Sequence, residues 1–144
     1  MRRSLAPAIA LLLAAPAWAH TGAGDVSGFA SGLLHPASGL DHLLAMVAVG
    51  MWAAQLGTPL LWVLPVTFPL LMAVGGLLGG LGVALPAVEP GIAASVLVLG
   101  AMVALALRPP VWVAAAVVGL FAIFHGHAHG AELPPGADAV AYGL

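Results

Sequence analysis

The sequence has no cysteine and no lysine, and charged residues make up only 6% of its 144 positions. The missing cysteine excludes thiolate metal sites, redox dithiols and disulfides. Three arginines and a net charge of −2 leave no basic footprint for nucleic acid. A soluble domain carries charge on about a quarter of its residues, so that class is excluded as well. The apolar runs are continuous and lack the alternation of barrel strands, which leaves helices as the way to satisfy a backbone inside lipid. No nucleotide-binding motif is present, so coupling to ATP would require other subunits.

What the chain has instead is apolar residues, 62% of the total. The expected fold class is all-α, a polytopic transmembrane helical bundle. The opening MRRSLAPAIALLLAAPAWAH carries two arginines, an apolar stretch from Leu5 to Ala15, and Ala17-Trp18-Ala19. That order reads as a secretory signal peptide over residues 1–19; an uncleaved signal anchor is the alternative, and either one exports His20. The remainder, residues 20–144, reads as one membrane domain with four spans: Ser38 to Gln55, Pro59 to Val83, Pro90 to Leu107 and Pro110 to Glu132. Each is near the 20 or so residues that cross about 30 Å of hydrocarbon. A short helical piece, Val26 to Leu34, precedes the first span and is broken from it by Pro36, which disfavours helix at His35.

An exported N-terminus sends the spans alternately inward and outward and places Arg108 in a cytoplasmic turn, as the positive-inside rule expects. The same count brings His35, Asp41, His42, Glu89 and the segment FHGHAHGAE, residues 124–132, to one depth near the outer face. In the second span, Gly75 with Gly79 and Gly76 with Gly80 form small-xxx-small pairs that permit close helix approach. Pro65 and Pro69 free backbone carbonyls near Leu61 and Pro65. Those carbonyls either line a polar path or are satisfied locally by Thr67 and its neighbours.

Ionisable side chains at membrane depth are costly and usually functional. His125, His129 and Glu132 fall along one stripe of a 3.6-residue helix, while His127 points to the other side and is left ambiguous between a supporting and a vestibule role. His35 and His42 are seven apart, with His35 capping the bent entry that Pro36 creates. Asp41 is a direct ligand, the carboxylate that orients a ligating imidazole, or a first-turn partner of the helix dipole. Imidazole and carboxylate together make a ligand set that nickel, cobalt, zinc and copper all accept. A metal-dependent hydrolase or oxygenase could use Glu132 or Asp41 as general base. A haem carrier would use two histidines and leave the carboxylates without a role. His20, if it begins the mature chain, offers an α-amine and an imidazole to one ion, with Asp25 a further ligand; otherwise HTGAGD is an ordinary tail.

The segment HPASGLDH at residues 35–42, followed by LLAMVAVGMWA, resembles the HP-x-x-G-x-DH signature of the HupE/UreJ family of nickel and cobalt permeases. FHGHAHGAE resembles that family's second histidine motif. The resemblance implies a non-enzymatic protein of the bacterial inner membrane that moves Ni²⁺ or Co²⁺ inward for enzymes such as hydrogenase or urease. It implies no resident cofactor, and the metal set His35, Asp41, His42, His125, His127, His129 and Glu132. A cytoplasmic metallochaperone and self-association are the protein partners this role leaves open. Family members usually continue with one or two further transmembrane helices, so residues 136–144 are expected to begin a fifth span and the chain to be C-terminally incomplete. The choice between nickel and cobalt is not written in the ligand types.

Overall fold

A computed structural model describes residues 39–133. The expected signal peptide, the expected helical piece Val26 to Leu34, His20, Asp25, His35 and the expected fifth span lie outside the described residues. Among the described residues there are four α-helices and no strand: α1 (Leu40–Leu56), α2 (Leu60–Gly80), α3 (Val88–Ala104) and α4 (Val111–Ala131). α2 and α4, 21 residues each, are long and apolar enough to cross a membrane, while α1 and α3 are apolar helices of 17 residues.

The helix ends follow from local chemistry. Pro59 and Pro110 are the N-cap residues of α2 and α4, and Pro90 lies in the first turn of α3, where a missing N–H costs nothing. α2 stops at Gly80, short of the expected Val83, although Leu81 and Val83 continue the apolar run. Gly82 takes φ +72°, Val83 N–H donates to Leu78 O at 3.0 Å and Gly82 N–H to Gly79 O at 2.9 Å, the two bonds of a Schellman close. α3 ends the same way, with Leu107 bonded to Met102 O and Ala106 to Val103 O, but here Ala106 occupies the left-handed position at φ +48°.

The helices close a ring in the order α1, α2, α4, α3, with α2 against α4 as its most extensive contact. That contact is glycine-made. A Cβ on Gly75 would collide with Ile123 O, on Gly79 with His127 O, on Gly126 with Met72 O and on Gly130 with Gly76 O. Two small-xxx-small pairs therefore lock parallel backbones together. Gly76 and Gly80 stand looser, with nearest atoms at 3.5 and 3.7 Å.

Polarity runs inside out. Trp62 and Trp112 are 70% and 74% exposed, and Leu40, Leu70, Leu77, Leu81 and Leu105 are also exposed. The buried set includes His42, Ser95, His125 and His127. Pro65 and Pro69 sit on the exposed face with Leu61, one turn apart along one side of the helix.

Candidate metal centre

Core periodicity delivers His42 to the interior. On α1 the buried positions are His42, Ala45, Ala48, Val49, Trp52 and Ala53, the 3–4 spacing of one helix face, so His42 is the outermost member of a stripe that is otherwise hydrocarbon. On α4 the last turns bury His125, Gly126, His127, Ala128 and Gly130. Gly126 and Gly130 face α2, which turns His125 and His129 toward the bundle centre.

There the two histidine segments meet. His42 Nδ1 lies 3.3 Å from His125 Nδ1, and the His42 ring centroid is 5.2 Å from those of both His125 and His129. His42 is 3% exposed and His125 2%. For an N–H···N hydrogen bond 3.3 Å is slightly long. Two imidazole nitrogens at about 2.0–2.1 Å from one ion stand roughly 3.0–3.4 Å apart, so the pair fits that chemistry. Among the described residues no three His, Asp or Glu side chains are gathered tightly enough to hold an ion as they stand.

Each neighbour has a definable part. Asp41 lies in the first turn of α1, and its Oδ1 accepts the His42 backbone N–H at 2.7 Å. Glu132 is the exposed C-cap of α4, one residue past the helix that was expected to carry it. His127 faces away from the pair: its Nε2–H donates to Val83 O at 2.7 Å, and its Nδ1 is buried without a hydrogen-bond partner.

Two further side chains complete the surroundings and carry no motif. Phe68 of α2 sets its ring 5.8 Å from His42 and 5.9 Å from His125. Ser95 of α3 is fully buried, with Oγ 2.8 Å from His125 Nε2 and donating to Ile92 O at 2.6 Å. All four helices thus contribute to one cluster. A lone hydroxyl in the middle of the apolar run IAASVLVLG was the one sequence signal for Ser95.

The opposite end of the bundle is tied differently. Trp52 Nε1–H donates to Leu107 O at 2.9 Å and Gln55 Nε2 to Val103 O at 3.2 Å, fastening the end of α1 to that of α3. Arg108, exposed, follows in the α3–α4 turn.

Residues 8–144 match the family model described as HupE / UreJ protein. The curated "Protein HupE" of Rhizobium leguminosarum bv. viciae is 52% identical over 131 residues, covering 90% of this chain and 69% of that protein. No solved structure matches. With its two histidine segments joined in one cluster and a family match over nearly its whole length, the chain belongs to the HupE/UreJ family.

Proposed function

We propose that this protein spans the bacterial inner membrane and carries Ni²⁺ or Co²⁺ inward, with His42 and His125 as the first ligands the ion meets inside the bundle. The single observation that carries the reading is the 3.3 Å approach of their Nδ1 atoms, which joins segments 83 residues apart in the chain. The family's association with nickel and cobalt uptake for hydrogenase or urease supports it. His129 and Asp41 are the adjacent donors. His35, Glu132 and His20 are assigned to entry, and His127 to support of the fold.

The membrane reading rests on several independent features. Apolar side chains face outward from every helix while the buried polar residues are histidines and a serine, the distribution a hydrocarbon solvent selects. At 1.5 Å per residue the 17-residue helices α1 and α3 span about 26 Å, within the mismatch a bilayer absorbs. Exposed Trp62 and Trp112 lie at the starts of α2 and α4, the same end as Arg108, where an interfacial aromatic belt and an inward-facing cation belong together. Asp41, Glu89 and Glu132 lie at the histidine end, which gives an outward mouth with negative charge for cations.

A groove of about 250 Å³ between α1 and α3 is lined by Leu44, Met51, Val96 and other apolar residues and includes none of the histidines. The test is uptake of limiting nickel or cobalt in cells lacking their own carrier. The intact chain should raise uptake, and His42→Ala and His125→Ala should each abolish the gain; undiminished uptake in both variants would sink the reading.

A further inference from the structure

We propose that Ser95 is the positioning residue of the histidine pair, fixing which nitrogen of His125 carries the proton and so which one is offered to an ion. The inference rests on the metal reading above for its consequence, but its geometry stands on hydrogen bonding alone. A serine hydroxyl has one proton. Ile92 O can only accept, so the 2.6 Å contact takes that proton. The 2.8 Å contact between Ser95 Oγ and His125 Nε2 must then run the other way, with Nε2–H donating to the hydroxyl oxygen. In a neutral imidazole one nitrogen is a donor and the other an acceptor, which puts the His125 lone pair on Nδ1, the atom that faces His42 Nδ1 at 3.3 Å. His42 accordingly presents its Nδ1–H to that lone pair.

The arrangement has the logic of a metal-site support. Ligating histidines generally donate their second ring N–H to an oxygen that holds tautomer and orientation, and removing that oxygen weakens binding about 10–100-fold. Carboxylates often play this part. Here the oxygen is a neutral hydroxyl, itself oriented by a helix carbonyl, so it fixes the ring without adding charge to a buried site. Ser95 is fully buried and sits on α3, which supplies no histidine or cysteine; its hydroxyl is what that helix adds to the cluster.

The experiment uses the full chain labelled with ¹⁵N-histidine in lipid nanodiscs at about pH 8, where imidazoles are neutral. His125 is assigned as the signal lost in His125→Gln. Without metal, His125 in the unmodified chain should carry its proton on Nε2. Ser95→Ala should mix the two tautomers and weaken Ni²⁺ or Co²⁺ binding roughly 10–100-fold, and Ser95→Thr, which keeps the hydroxyl, should restore the Nε2–H signature. A proton on Nδ1 of His125 in the unmodified chain overturns the proposal, and so does an Ser95→Ala variant with unaltered tautomer and affinity. The tautomer arm is read in metal-free, unmodified protein and needs no Ser95 variant to fold. If the unmodified chain bound neither ion, the transport reading would fall while the Nε2–H signal still decided the assignment of Ser95.

Discussion

His125 and His127 are two positions apart on α4 and turn to opposite sides of it, so removing each should cause a different loss. His127→Ala deletes the bond to Val83 O and is expected to cost about 1–3 kcal/mol of stability, seen as earlier thermal unfolding in detergent, with ion affinity nearly unchanged. His42→Ala should do the reverse, abolishing ion binding in calorimetric titration while the helical signal persists. Because an imidazole must be neutral to ligate and ordinarily titrates near 6.5, binding at fixed metal should decline as pH falls through about 7 to 5. A flat profile would point to carboxylate ligands instead. The separation of His127 from His125 and His129 was legible in the sequence, since helix periodicity alone dictates it. Ser95 was not. A hydroxyl inside an apolar helix ordinarily bonds a carbonyl of its own preceding turn, as Ser95 does with Ile92, and only tertiary packing gives it a second partner.

The helices themselves were largely readable, because long apolar runs punctuated by proline leave little choice of element. Their C-terminal ends were less so: hydropathy continues past Gly80 and past Ala104, whereas the chain is turned by residues in left-handed conformation. At Gly82 that conformation is native to the residue, but at Ala106 a Cβ opposes it. Ala106→Gly is therefore expected to stabilise the fold by about 0.5–1 kcal/mol, read as a higher unfolding midpoint. The α2–α4 seam makes a second prediction with opposite signs. Gly126→Ala should destabilise by about 1–3 kcal/mol because the methyl meets a main-chain oxygen. Gly76→Ala, with its nearest neighbour at 3.5 Å, should be neutral or slightly stabilising through helix propensity. Sequence alone made the overlapping glycine pairs equivalent, since register between two helices is a property of both.

At the scale of the whole molecule, one end holds histidines and carboxylates and the other holds Arg108 and two exposed tryptophans. The absence of native cysteine makes the orientation directly measurable. Glu89→Cys should react with a membrane-impermeant maleimide added outside intact cells, and Arg108→Cys only after permeabilisation; the opposite pattern would invert the proposed direction of transport. Polar ties between helices, within lipid, each contribute on average only about 0.6 kcal/mol. Cohesion of the bundle therefore comes mainly from close packing, most intimate between α2 and α4.

That intimacy also governs what kind of genetic repair the protein allows. At Gly75, Gly79, Gly126 and Gly130 the obstructing atoms belong to the opposing main chain, which no codon change can shorten. At Gly91 the obstruction is the Phe124 ring, 2.6 Å from a built Cβ, and a smaller side chain would remove it. A suppressor screen should accordingly recover Phe124→Leu or similar changes as partners of Gly91→Ala, and should return no side-chain replacement on α2 that rescues Gly126→Ala.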